Sequence, residues 1–201
     1  MANIELGCIN SSGHKELEDE LSIGVHRVLH DVVVAGGAVG YLRPPDRATS
    51  DAWLTGLLDD IGAGNGALAL ARVDGRIEAF GCWRRSAHEP FAHSADVQKV
   101  MAHPDARGLG LGRAIVGALI DDARTTDLET LLLGVRGNNH GARELYEDFG
   151  FQVHGRTPNV VEVGDLRFDS VEMHLVLGRG PGIELRGSLP GGPGSSPGRR
   201  G

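Results

Sequence analysis

A short glycine-rich segment, Arg107-Gly108-Leu109-Gly110-Leu111-Gly112, is the part of the sequence best suited to hold a phosphate group. Apolar residues then recur every three or four positions, so we predict a helix over Leu111–Ala123. The first turn of a helix carries backbone N–H groups without partners and the positive end of the helix dipole. Glycines before it let a ligand approach that backbone closely. The segment therefore predicts a cradle for a phosphate or pyrophosphate.

The glycine spacing excludes the two common nucleotide-binding loops. No glycine is followed by the Lys-Ser or Lys-Thr pair of a Walker loop. The third glycine of a dinucleotide fingerprint would fall on Arg113 or Ile115. A second glycine run, Gly36–Gly40, is followed by Pro44-Pro45, which cannot open a helix from that loop. We interpret that run as the end of a helix followed by a bend. The predicted phosphate cradle matches neither common nucleotide-binding loop, so we interpret it as a third kind of phosphate-binding loop.

Two sequence blocks carry a resemblance to a known family. The pattern Arg107-x-x-Gly110-x-Gly112 resembles the acetyl-CoA pyrophosphate loop of the GNAT family of N-acetyltransferases. Downstream, the segment NHGARELYEDFGF that begins at Asn139 resembles the N-x-x-A-x-x-L-Y-x-x-x-G-F block of the same family. The two blocks occur in order with a predicted strand between them, and the resemblance covers about Ala67 to Leu177.

The resemblance implies which residues hold acetyl-CoA as co-substrate. In the family, backbone groups of the strand before the loop hold the pantetheine arm, and loop N–H groups hold the pyrophosphate. The implied cofactor-binding residues are Val100, Met101, Ala102, Arg107, Gly108, Leu109, Gly110, Leu111, Gly112, Arg113, Asn139 and Ala142. For Asn139 the alternative is a helix N-cap.

The resemblance also implies two catalytic residues, Tyr146 and Asp96. Tyr146 matches the tyrosine that many members use as general acid toward the coenzyme A thiolate, and pKa values of about 10 for a phenol and 8.5 for a thiol allow that transfer. Asp96 lies where several members have an acidic residue. A carboxyl pKa of about 3.9 makes Asp96 a poor base unless burial raises it or a water mediates. Glu78 and His103 are the alternatives for the base.

The elements that must position these residues follow from hydrophobic period and turn signals. Asp74-Gly75 predicts a type I′ hairpin turn, Pro104 ends the strand before the glycine loop, and a loop with Pro158 and Gly164 joins the last two strands. We predict strands at Ile4–Ile9, Ala67–Val73, Arg76–Arg84, Asp96–Ala102, Thr130–Val135, Phe151–His154 and Leu166–Leu177, and helices at His14–Val34, Asp46–Ile61, Leu111–Ala123 and Asn138–Phe149. The order predicts an α/β (α+β) fold whose mixed, mostly antiparallel sheet is flanked by helices. It agrees with the GNAT-type acyl-CoA N-acyltransferase fold that the resemblance implies.

Composition and charge narrow the class of protein. With 40% apolar and 23% charged residues the chain is typical of an ordinary globular protein. Its apolar runs are too short to span a membrane, it begins without a signal pattern, and two cysteines are too few for a disulfide framework. We therefore expect a cytoplasmic protein. The net charge of −7 disfavours nucleic-acid binding, and His88 and His93 lack a third ligand at metal spacing.

The last residues differ in composition from the rest. From Gly178 onward the chain is rich in Gly, Pro, Ser and Arg and carries little apolar surface. We expect one domain over residues 1–177 and a disordered tail over residues 178–201.

Together these observations predict an acetyl-CoA-dependent N-acetyltransferase that transfers the acetyl group directly to the primary amine of a small molecule. Segments that begin at Gly36, Ala95 and Gly155 are similar to tabtoxin-resistance-type acetyltransferases, which acetylate an amino-acid-like toxin. The fifth strand departs from that pattern, because an acidic residue is expected after its apolar run and the chain has Leu133-Gly134-Val135. The alternatives are peptide or protein N-acetylation and a non-catalytic acyl-CoA-binding domain. The expected partners are acetyl-CoA, an amine acceptor and, as the alternative to a monomer, a second copy of the chain.

Overall fold

The computed structural model describes residues 2–11, 18–37 and 39–178, in which seven strands and four helices form. In chain order they are β1 (Ile4–Ile9), α1 (Glu18–Val34), α2 (Arg47–Gly62), β2 (Gly66–Val73), β3 (Arg76–Arg85), β4 (Ser94–Ala102), α3 (Leu111–Ala123), β5 (Thr130–Arg136), α4 (His140–Asp148), β6 (Gln152–Val163) and β7 (Leu166–Val176). The predicted order of elements is confirmed. Residues 14–17 of the predicted first helix, and residues 179–201 of the predicted tail, lie outside the described residues.

All seven strands belong to one sheet, in the order β1-β2-β3-β4-β5-β7-β6. Neighbouring strands are antiparallel except β4 and β5, which are parallel. Helices α3 and α4 pack on one face, where Ile115, Leu119 and Tyr146 join a buried cluster with residues of β5 and β7. Helices α1 and α2 pack on the other face, over β2 and β3. The predicted mixed, mostly antiparallel sheet is confirmed. In the described part of the chain, every helix is too short or too polar to cross a lipid bilayer.

Local signals in the sequence set the ends of several elements. Asp74 and Gly75 both have positive φ, 49° and 82°, as a type I′ turn requires. Helix α1 ends at Val34, and Gly36 follows it with a φ of 80°. The Asp46 carboxylate accepts a hydrogen bond of 2.8 Å from the Thr49 N–H and so caps α2.

The prediction was wrong about strand β6, which extends to Val163 and does not end at His154. Pro158 lies inside the strand, where the register with β7 shifts between Thr157 and Val161. Proline has no N–H to donate, but β6 is the last strand of the sheet and its bulged residues need no partner. The predicted loop is therefore reduced to a tight turn around Gly164, whose φ is 57°.

Strand β4 contains a β-bulge at the centre of the sheet. Cys82 pairs with Gln98 and Phe80 with Met101, so Gly81 alone faces two residues, Lys99 and Val100. Lys99 adopts a φ of 52°, which is unusual for a residue with a side chain. A Cβ built on Gly81 would lie 2.8 Å from Ile115 Cγ2 and 3.2 Å from Val100 Cα. The bulge and the close approach of α3 therefore both need glycine at position 81.

We predict that Gly81→Ala lowers the free energy of unfolding by about 1–3 kcal/mol, because the added methyl group overpacks a backbone contact. Chemical denaturation followed by circular dichroism measures this change. Gly7→Ala on β1 is the matched control, since nothing lies within 4 Å of its Cβ position, and should change stability by less than about 0.5 kcal/mol. Equal stability of the two variants would contradict the proposed role of Gly81.

Candidate active site

The candidate site begins where the two parallel strands separate. Within the described chain, β4 and β5 pair only between Ser94–Asp96 and Thr130–Leu132. Beyond these residues a cavity of about 390 Å³ lies between the two strands, α4 and residues Val39 and Gly40 of the α1–α2 connection. The edge of β4 that faces this cavity offers backbone N–H and C=O groups to a ligand, as an unpaired strand edge does.

The two predicted catalytic residues, Asp96 on β4 and Tyr146 on α4, both line this cavity. Tyr146 is 9% exposed, and burial raises its pKa to about 12. The phenol therefore keeps its proton at neutral pH. Asp96 is exposed on the cavity wall, where loss of solvation and then the negative charge of Glu172 raise its pKa above that of an ordinary aspartate. This upward shift is the condition under which the sequence predicts that Asp96 serves as a base.

The glycine loop lies at the end of β4 and leads into α3. Gly108 and Gly110 have φ values of 83° and 72°, and nothing lies within 4 Å of a Cβ built on either residue. Gly110 is the N-cap of α3, and among the described residues no side-chain hydrogen bond caps the helix. The N–H groups of the first turn are therefore open to an approaching anion. Arg107 and Leu109 are exposed beside them, so the loop fits the pyrophosphate cradle predicted from the sequence.

The remaining predicted cofactor residues occupy three kinds of position. Val100, Asn139 and Ala142 line the cavity, and the Asn139 side chain also accepts a hydrogen bond of 3.4 Å from the Ala142 N–H. Asn139 thus caps α4, as the alternative from the sequence proposed, and it also lines the cavity. Met101 and Leu111 have buried side chains and offer only backbone groups to a ligand.

Other predicted cofactor residues lie at the margins. Ala102 is half-buried at the end of β4, and Gly112 lies in the first turn of α3. Arg113 is exposed, pairs with Asp148 and lies 5.5 Å from the centre of the Phe149 ring. Its guanidinium is therefore held on the outer side of α3 and α4.

The two alternatives for the base, Glu78 and His103, lie outside the cavity wall. Both are buried. Arg27 on α1 donates to Glu78 at 2.8 Å, and His103 Nε2 lies 3.0 Å from an Asp31 oxygen on the same helix. These contacts fasten α1 to the ends of β3 and β4, which gives both residues a structural role.

Lys99 is a cavity residue to which the sequence analysis gave no role. The bulge turns its side chain toward the α1–α2 connection, where its ammonium donates to the Val39 carbonyl at 3.0 Å. The same ammonium lies 4.2 Å from the centre of the Tyr41 ring and 5.3 Å from that of Trp53. Burial lowers the pKa of Lys99. The sequence signal that could have pointed to Lys99 is a lysine inside a mainly apolar strand. The direction of the Lys99 side chain, however, depends on the bulge.

Comparison with known proteins identifies the family. The model of the acetyltransferase (GNAT) family matches residues 39–151, which is more than half of the chain. The chain therefore belongs to the GNAT family of acetyltransferases, and the resemblance carried by the two sequence blocks is confirmed.

Individual relatives agree with this assignment. The L-amino acid N-acyltransferase MnaT of Escherichia coli is 34% identical over 82 residues, which are 41% of this chain and 46% of that protein. The chain thus matches about half the length of that relative. An L-methionine sulfoximine/L-methionine sulfone acetyltransferase of Pseudomonas aeruginosa is 28% identical over 77% of this chain and 88% of its own.

The fold is shared with solved structures. A protein from Salmonella typhimurium, solved with its cofactor acetyl-CoA, superposes with a TM-score of 0.74 over 91% of this chain and 99% of its own, at 18% identity. At this level of identity the likeness concerns the fold, and it confirms the predicted fold class.

We predict that Glu78→Gln lowers the free energy of unfolding by about 1–3 kcal/mol, because Arg27 loses its charged partner in a largely buried pair. Thermal and urea unfolding measure the loss. In the control, Glu162→Gln breaks the exposed 2.7 Å pair with Arg167 and should cost less than about 1 kcal/mol. A neutral effect of Glu78→Gln on stability would argue against the structural role.

Proposed function

We propose that this protein is an acetyl-CoA-dependent N-acetyltransferase that acetylates the primary amine of a small molecule. The observation that carries the proposal is the separation of β4 and β5, which opens one cavity lined by Asp96, Val100 and Tyr146. When bound, acetyl-CoA supplies an acetyl group activated as a thioester.

The chain offers a continuous set of backbone groups for that co-substrate. The N–H groups of Gly108 to Arg113 would hold the pyrophosphate, since the loop is exposed and α3 has no side-chain cap. The backbone of Val100, Met101 and Ala102 would hold the pantetheine arm along the free edge of β4. An N–H of this edge is also suited to stabilise the negative charge that develops on the acyl oxygen.

Two side chains would transfer protons, one from the amine that attacks and one to the sulfur that leaves. Asp96 would accept a proton from the incoming ammonium group, which frees the nitrogen lone pair for attack on the acyl carbon. Its raised pKa brings it closer to a useful base. Tyr146 would deliver the proton of its hydroxyl group to the departing sulfur, and its burial ensures that this proton is present at neutral pH.

We further propose that the acceptor carries a carboxylate beside its amine. The cavity wall combines the acidic Asp96 with two cations, Lys99 and Arg136. A volume of about 390 Å³ suits a small ligand better than a folded peptide segment. The relatives named for L-amino acids and for methionine sulfoximine support the same class. A cytoplasmic location and a homodimer remain predictions from the sequence.

The first test is binding of acetyl-CoA by isothermal titration calorimetry. We expect micromolar-range binding by the unaltered protein and its loss in Gly110→Glu, which puts a bulky negative charge into the cradle. Gly64→Glu is the matched control, because Gly64 also has a positive φ of 76° and open space around it, but lies between α2 and β2. It should carry the same backbone strain and keep the binding.

The outcomes separate the alternatives. No binding by the unaltered protein would overturn the proposed function. Binding without turnover on any amine would favour a non-catalytic acyl-CoA-binding domain. Turnover on peptides but not on amino acids would favour peptide or protein acetylation.

We predict that Tyr146→Phe reduces kcat by about 10²-fold, because the leaving sulfur loses its proton donor. Affinity for acetyl-CoA should be unchanged, since the cradle is intact and the ring still packs 5.7 Å from the Phe151 ring. Steady-state kinetics with L-methionine sulfoximine and calorimetry measure the two quantities. A variant with unaltered kcat would remove Tyr146 from the mechanism.

A further inference from the structure

The carboxylate of Glu172 on β7 lies beside Gly134, a residue of the cavity wall on the neighbouring strand β5. The cross-strand partner of Glu172 on β5 is Gly134, and its partner on β6 is Gly155. A Cβ built on Gly134 would lie 3.1 Å from Glu172 Oε2 and 3.5 Å from Oε1. The carboxylate therefore fills the space that a side chain on β5 would occupy at position 134.

This space lies on the same face of the sheet as Asp96. Asp96 pairs with Leu132, and Leu132 and Gly134 point to the same face because they are two residues apart. Gly134 is exposed and lines the cavity. The charge of Glu172 contributes to the raised pKa of Asp96. Two carboxylates from different strands thus lie on one face of the sheet, Asp96 in the cavity wall and Glu172 beside its residue Gly134.

One oxygen of Glu172 is already engaged. Ser170 Oγ donates to Oε1 at 2.6 Å, whereas Oε2 is the oxygen nearer to the Cβ position of Gly134. The hydrogen bond fixes the direction of the carboxylate, and Gly155 adds no side chain that would hinder it. Glu172 is therefore an oriented acceptor of hydrogen bonds beside Gly134, a residue of the cavity wall.

Other charged and titratable groups surround the pair. From β5, Arg136 points to the same face and lines the cavity; from β4, Lys99 lines the cavity as well. On β7, His174 is the next residue along this face, and its ring meets that of His154 on β6 at 5.3 Å. The two carboxylates thus form an anionic patch with cations beside it. This arrangement is complementary in charge to a ligand that carries an ammonium group next to a carboxylate.

We propose that Glu172 and Asp96 together form the subsite that binds the ammonium group of the acceptor. The ammonium N–H donates to both carboxylates, its N–H bond breaks, the proton passes to one of the two carboxylates, and the lone pair stays on the nitrogen. Two neighbouring carboxylates hold a proton more readily than one, because protonation relieves their repulsion. The proposal rests on the proposed N-acetyltransferase function and adds Glu172 to its acceptor site.

The test compares Glu172→Gln, which keeps the shape and a hydrogen-bond acceptor for Ser170, with Glu162→Gln on the exposed part of β6. L-methionine sulfoximine serves as the acceptor. We expect Glu172→Gln to bind acetyl-CoA normally by calorimetry, while KM for the acceptor rises about tenfold or more. Glu162→Gln should leave both quantities unchanged.

The pH profile of kcat/KM gives a readout that a purely structural role would not produce. The charge of Glu172 raises the pKa of Asp96, so its removal lowers that pKa. Activity needs Asp96 unprotonated, and the acid limb of the profile should therefore move to lower pH in Glu172→Gln. The limb should stay in place in Glu162→Gln.

A rescue variant completes the test. Gly134→Asp in a Glu172→Ala background, where the shortened side chain leaves the space free, returns a carboxylate to the same space from β5, and should restore KM for the acceptor to within a few-fold of its original value. An unaltered KM and pH profile in Glu172→Gln would overturn the subsite. So would a parallel loss of acetyl-CoA binding, which would mark a general disturbance. If the unaltered protein binds no acetyl-CoA, the proposed function fails first and the subsite with it.

Discussion

The early separation of the parallel strands β4 and β5 is the constraint on which the rest of the structure depends. Three residues of each strand pair, and the following residues of β4 have a partner strand on one side only. Backbone N–H and C=O groups are rarely left without a hydrogen bond, so the free side of β4 must meet water or a ligand. The sheet still holds together because β5 is anchored along its full length to β7. A cleft with one free edge of β4 can therefore open at the centre of the sheet while the strands on both sides of it stay paired.

The glycines near this cleft make close approaches possible. Gly81 leaves room for the β4 bulge and for α3, and the bulge gives Lys99 its direction into the cavity. Gly134 leaves room for a carboxylate that arrives from the neighbouring strand. In both places a glycine has no side chain, and a group from a neighbouring element occupies the space that the side chain would have taken. The shape of the cavity wall is thus decided by pairs of residues on different strands.

This explains how much of the molecule could be predicted from the sequence. Element order and the type I′ turn at Asp74-Gly75 depend on neighbouring residues, and the sequence predicts them. The full length of β6 was missed, because a proline is tolerated in a strand only when that strand is at the edge of a sheet, and strand order is a tertiary property. Lys99 and Glu172 were missed for a related reason. Their directions depend on a bulge and on a cross-strand register that local patterns do not encode.

In the proposed mechanism the cleft also separates the acid from the base. Tyr146 reaches it from the face covered by α3 and α4, whereas Asp96 and Glu172 belong to the opposite face. Loss of solvation raises the pKa on both sides, but with different consequences. A buried phenol keeps the proton that it must donate, and a carboxylate with a raised pKa becomes a better acceptor of the proton from an amine. The same loss of solvation therefore acts in opposite senses on the two transfers, because it makes Asp96 a better base and makes Tyr146 a weaker acid that still carries its proton at neutral pH.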